Sequence, residues 1–212
     1  MDSLAKRSKL TMPAHAVRTR RAYFDCRFGQ LHVRTAFPTT GGFDEQVPLF
    51  CLHPDRSSSR SFARFLPEIA DVRSVYAPDL PGLGESDPSP TPTSSVADAA
   101  GAVSDLADDL RLKQIDLLGI HGGARVALDL AAARPQLVRR LVLVGVLGAD
   151  RLPTIKQSTL MMRTPREPSE GMARLKTALP NGRFIEIAEY ADDLFDASPI
   201  TLAGQIGAFL SG

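Results

Sequence analysis

Short apolar runs alternate with stretches of helical period along most of the chain. Tyr23 to Phe28 and Gln30 to Phe37, separated by Gly29, are rich in β-branched and aromatic residues and read as an antiparallel hairpin or a tight pair of strands. After the loop 38–46, Pro48 to His53 is apolar on both faces, the pattern of a strand buried inside a parallel sheet. Ser58 to Ala70 places Phe62, Phe65, Leu66 and Ile69 on one helical face, and Val72 to Ala77 is the next strand. The alternation predicts a helix capped by Ser94 or Ser95 and running to about Leu112, a strand over 115–119, a helix over 122–134 and a strand over 139–146. Beyond the loop 147–157 it predicts a strand at 159–163, a helix over 168–179, a strand at 184–188 and a last helix over 199–210.

Strands separated by helices of this length need crossover connections, so the expected fold class is α/β: a mostly parallel twisted sheet with helices on both faces. A chain of 212 residues buries enough surface to need no disulfide or structural metal. The Pro-rich stretch Ser86 to Ser95 reads as a stiff surface connection, because the strand and helix pattern resumes directly after it. A net charge of +1 provides no field that would draw nucleic acid or an anionic membrane. Lys6, Arg7, Lys9, Arg18, Arg20 and Arg21 face only Asp2 in the first 21 residues, so residues 1–21 are expected to form a flexible basic tail and 22–212 a single domain. Cys26 and Cys51 show no metal-ligand spacing, and Cys51 in its apolar run reads as a small buried thiol. No apolar run approaches the ~20 residues of a membrane span, and the basic start lacks the apolar stretch of a secretory signal, so a cytoplasmic location is expected.

The chemistry-bearing residues gather at sharp turns. In Leu117-Leu118-Gly119-Ile120-His121-Gly122-Gly123-Ala124-Arg125 a strand turns into a helix with small residues at 119, 122 and 123. This resembles the nucleophile elbow, GxSxG, of the α/β-hydrolase fold, with His121 in the nucleophile position. Leu52-His53-Pro54-Asp55 stands where that family has its HG loop, and Asp79-Leu80-Pro81-Gly82-Leu83-Gly84-Glu85-Ser86 is similar to its DxxGxGxS turn. Arg139 to Val144 resembles the sixth strand, and Leu179-Pro180-Asn181, Phe184 to Ile187 and Ile206 to Leu210 resemble the final strand and helix. The resemblance covers residues 22–211. It implies a divergent, nearly capless member, because only the loop 147–157 stands where most relatives insert a helical cap.

The family's hydrolases require a nucleophile at the elbow, then an acid and then a histidine. The four histidines are His15, His32, His53 and His121, and none follows the elbow. Aligned with the family, Glu167 falls at the acid position and Asp192 at the base position. A Ser-His-Asp acyl-enzyme is therefore excluded unless Ser57, Ser58 or Ser59 moves in from the neighbouring loop. The expected catalytic residues are His121, Glu167 and Asp192, with His53, Asp55, Gly122 and Arg125 as substrate-binding residues. Pro54 offers no N–H and Asp55 brings a carboxylate to the oxyanion side, so an Asp55 to His121 contact is expected instead. Two imidazoles and a carboxylate would form an acceptable divalent-metal set, but the family's histidine in that loop anchors the turn, and no metal or cofactor is expected.

Two functions follow from these residues. One is a hydrolase, or a cofactor-independent lyase or isomerase, in which His121 acts on a small carbonyl compound as acid, base or nucleophile. The other is a pseudoenzyme, a ligand-binding or protein-interaction module that retains the sheet and an open crevice. The expected partners are a small-molecule ligand or substrate and a second copy of the chain covering the open site, with no nucleic acid and no membrane.

Overall fold

The structure is a computed structural model that describes residues 17–40, 46–90, 95–145, 152–163, 175–179, 182–187 and 194–212. Eight strands form one sheet: β1 (Arg20–Cys26), β2 (Gly29–Ala36), β3 (Gln46–Leu52), β4 (Arg73–Pro78), β5 (Ile115–Ile120), β6 (Val138–Val144), β7 (Ser158–Arg163) and β8 (Arg183–Glu186). Their order is β1-β2-β4-β3-β5-β6-β7-β8. The pairs β1–β2 and β2–β4 are antiparallel, and every later pair is parallel. Because side chains alternate across a strand, β3 and β5 feed two cores at once. Phe50, Leu52 and Leu117 enter one core with helices α2 (Val96–Asp109) and α3 (Gly122–Ala133); Leu49, Cys51 and Leu118 enter the other. That second core packs under α1 (Phe65–Ile69) and the C-terminal helix Pro199–Ser211. Phe195 locks it with T-shaped contacts to Phe62 and Phe65, at ring separations of 5.4 and 4.9 Å.

The expected elements are present, with four differences of physical interest. The hairpin turns at Arg27-Phe28, and Gly29 is already in β2, paired with Cys26; its φ is +119°, and a Cβ there would meet the Asp87 carboxylate. The helix expected over 58–70 is split into a 3-10 turn, Ser59–Phe62, and α1. Pro67 explains the break: it is tolerated in the first turn of α1, but in a helix begun at Ser58 it would remove an interior hydrogen bond. β1 begins at Arg20, and Val17 packs against the second core, so residues 17–21 of the segment expected as a tail belong to the fold; residues 1–16 lie outside the described residues. The expected helix 168–179 is described only at 175–179, where 175–178 are helical.

The two ends of the sheet differ in chemistry. At the N-terminal ends of β4, β5 and β6, fully buried Asp116 accepts Arg73 Nη1 at 3.1 Å and Arg139 Nε and Nη2 at 2.9 and 2.7 Å. Arg139 and Arg140 also donate to the Leu210 and Phe209 carbonyls, which ties the last helix to β6. The C-terminal ends carry the elbow. Among the described residues no helix is long and apolar enough to cross a membrane.

Candidate active site

β5 enters α3 through His121, whose φ of 47° and ψ of −108° are unfavourable for a residue with a Cβ. The surrounding bonds hold it there: its N–H donates to the Val144 carbonyl at 2.9 Å, and its own carbonyl accepts Ala124 N and Arg125 N at 3.1 and 3.3 Å. Strand and helix meet too closely for side chains at the flanking glycines. A Cβ on Gly119 would press on the Ala124 backbone, and one on Gly123 would meet the Leu52 and His53 carbonyl oxygens. The small residues of the motif are thus a consequence of close backbone packing.

The exposed His121 ring lies against Gly145, with Nδ1 3.0 Å from the Gly145 carbonyl oxygen. A carbonyl only accepts, so Nδ1 carries the hydrogen, and in the neutral ring the Nε2 lone pair is free to take a proton. Gly145 has φ +67° and would drive a Cβ into the imidazole, so the loop after β6 is shaped to that ring. Asp55, expected beside His121, pairs instead with Arg125, Nη2 to Oδ1 at 3.4 Å. Both side chains are more than half exposed, at 62% and 55%, so solvent screens this pair heavily. The same carboxylate lies directly over Gly122, where a Cβ would collide with it.

His53 borders the crevice but is fully buried, and neither ring nitrogen is free for a ligand. Its Nδ1 donates to the Pro54 carbonyl at 2.8 Å, and its Nε2 accepts the Leu80 N–H at 2.9 Å. Burial pushes its pKa below the ordinary value, against a smaller opposite effect of the Pro54 bond. Its nitrogens are spent inside the protein, where this imidazole positions the loop after β3 against the turn after β4. Together with Asp55, Gly122 and Arg125 it surrounds a crevice of about 120 Å³, floored by Leu80, Leu83, Val96 and Val126. His121 faces Gly145 instead and does not line that crevice. Glu167 and Asp192 lie outside the described residues. Among the described residues no three His, Cys, Asp or Glu side chains converge as a metal set.

A second polar cluster escaped the sequence reading. Asp79 Oδ1 accepts Ser59 N at 2.6 Å, while Oδ2 accepts Glu85 N and faces His32 Nδ1, both at 2.9 Å. Ser86 Oγ donates to the Asp79 carbonyl at 2.7 Å and accepts His32 N at 2.9 Å. Burial raises the Asp79 carboxyl, but these donors together outweigh it and hold the group below its ordinary value. The only sequence signal was the DxxGxGxS spacing; nothing local pointed to His32 or Ser59, which arrive from β2 and from the segment after β3.

A family model described as alpha/beta hydrolase fold matches residues 47–195. A 2-hydroxymuconate semialdehyde hydrolase of Pseudomonas sp. (strain CF600) is 37% identical over 107 residues, 49% of this chain and 38% of that protein. An uncharacterised hydrolase, YugF, of Bacillus subtilis (strain 168) is 32% identical over 96 residues, 45% of this chain and 35% of that protein. The chain spans well under half the length of these relatives. Among solved structures, naproxen esterase (carboxylesterase NP) from Bacillus subtilis superposes with a TM-score of 0.79 at 15% identity, covering 91% of this chain and 92% of that one. At that identity the likeness concerns the fold.

Proposed function

Since this chain belongs to the alpha/beta hydrolase fold family, we propose that it acts without a serine acyl-enzyme, through His121 as proton acceptor at Nε2 toward a small carbonyl compound. The reaction is a hydrolysis or a cofactor-independent lyase or isomerase step. The observation that carries this reading is the 3.0 Å bond from His121 Nδ1 to the Gly145 carbonyl. It selects the tautomer in which Nε2 is basic and fixes the ring at the elbow. Serine chemistry would need an alcohol at this position and an imidazole after β8, whereas residues 187–198 contain no histidine. Glu167 or Asp192 is the proposed carboxylate partner, and Asp55, Gly122 and Arg125 are the proposed contacts to a substrate that extends from the crevice rim across the elbow to His121, which lies outside the crevice itself. The carbonyl substrate class draws support from the name of the semialdehyde hydrolase to which the chain is similar. Residues 145–157 join β6 to β7, a short connection where most relatives carry a cap; a second copy of the chain is the proposed cover.

One observation favours a second reading, a binding module without turnover. The Asp55 carboxylate over Gly122 places negative charge where an oxyanion would have to be stabilised. Turnover of p-nitrophenyl esters, thioesters and small lactones or ketones by wild type and His121→Ala separates the two. Turnover lost in a folded His121→Ala protein supports the first reading. Ligand binding without turnover in either protein supports the second.

A further inference from the structure

A polar cavity of about 270 Å³ lies apart from the elbow crevice, between Arg34 of β2, Ser58, Ser59 and Arg60 after β3, and Asp79 and Glu85 in the turn after β4. Its two carboxylates are already engaged. Asp79 takes the three donors described above, and Glu85 accepts the Tyr23 hydroxyl at 3.1 Å and faces Arg21 at 3.8 Å. The unmatched groups are donors. Arg34 Nε and Ser59 Oγ are inaccessible to solvent and have no hydrogen-bond partner, although the Ser59 hydroxyl lies near enough to lower the Asp79 carboxyl. Among the described residues neither Arg34 nor Arg60 forms an ion pair. Burial first, and then the charges of Arg21 and Arg60, lower the Arg34 pKa, against smaller opposite effects of Asp79 and Glu85, whose oxygens are engaged by other donors.

A buried donor without an acceptor costs about 1–3 kcal/mol. Native proteins retain such a group for a reason: strain, a chemical role, or a bound water or ion that completes it. One water occupies ~30 Å³ of liquid, far less than this space. We propose that the cavity binds a phosphate group, free or carried on a small ester, through Arg34, Arg60 and Ser59. Guanidinium forks match phosphate oxygens in geometry, and a phosphate carries about −1.5 to −2 charges, enough to offset two arginines. A carboxylate, with one charge and two oxygens, would leave part of that donor set unmet.

The proposal does not depend on the role given to His121. Calorimetric titrations of the whole protein with inorganic phosphate, phenyl phosphate and acetate test it. One saturable site is expected for phosphate or its ester, with the tighter of the two identifying the source, and only weak binding of acetate. Arg60→Gln, at an exposed position, should weaken binding about tenfold, the loss of roughly one charge-assisted contact. Arg34→Gln should weaken it further and Arg34→Lys less, while His121→Ala should bind as wild type does. Absence of saturable binding, acetate bound as tightly as phosphate, or unchanged affinity in Arg60→Gln and Arg34→Gln would overturn the proposal. If Arg34→Gln does not fold, Arg60→Gln and Arg34→Lys decide.

Discussion

The carboxylate of Asp55 occupies the space into which a side chain on Gly122 would project. Gly123, one residue on, faces the backbone oxygens of Leu52 and His53 instead, and Gly119 faces the Ala124 backbone. An exposed carboxylate can swing aside, and packed backbone cannot. Gly122→Ala should therefore cost less stability than Gly123→Ala or Gly119→Ala, each of which should lose about 1–3 kcal/mol or more. Urea denaturation of the three variants gives the order, and a Gly122→Ala cost that vanishes in Asp55→Gly would identify the clash.

His53 gives the protein an acid-sensitive joint. Its folded pKa lies below the ordinary value of 6.5, so as pH falls the unfolded chain takes the proton first. The His53 contribution is complete above about 6.5 and declines as pH drops from there toward the folded value. Asp79, held below its ordinary 3.8, adds a second window: its contribution is present above that value and lost as pH falls through the folded pKa. Unfolding free energy measured between pH 8 and pH 5 should slope downward in wild type and be flatter in His53→Gln, whose side-chain oxygen can still accept the Leu80 N–H.

Asp116 anchors the other end of the sheet. Its side chain and that of Arg73 are both fully buried, whereas Arg139 is 29% exposed. Asp116→Asn leaves a buried guanidinium uncompensated and should cost about 3–5 kcal/mol. Arg139→Met should cost less, because solvent already reaches that group. The double change Arg73→Met with Asp116→Leu should recover most of the loss, and the shortfall from additivity measures the coupling.

The parts of the fold legible in the sequence are those where one local requirement admits few residues. Gly119, Gly122 and Gly123 announce the elbow because backbones crowd there, and Ser95 with Asp98 announces the start of α2, where a capping box forms. The apolar runs of β3 and β5 declare strands buried on both faces. Tertiary partners were not legible. Ser59 N bonds to Asp79 across 20 positions of sequence, His53 holds Leu80 across 27, and His121 turns to Gly145 across 24. The spacing brought His53, Asp55, Gly122 and Arg125 to one crevice, but it could not tell a ligand-facing imidazole from one spent on a loop, nor see that Arg125 takes Asp55.

With an imidazole at the elbow, the proposed chemistry activates no serine of this protein for acyl transfer. Intact-mass analysis after exposure to a fluorophosphonate tests this most directly, since the reagent marks a nucleophilic serine covalently, with peptide mapping to locate any adduct. The wild-type protein and His121→Ser should both remain unmodified, because the substitution restores a hydroxyl without its base. A stoichiometric adduct in wild type, on Ser57, Ser58, Ser59 or any other serine, would contradict the account.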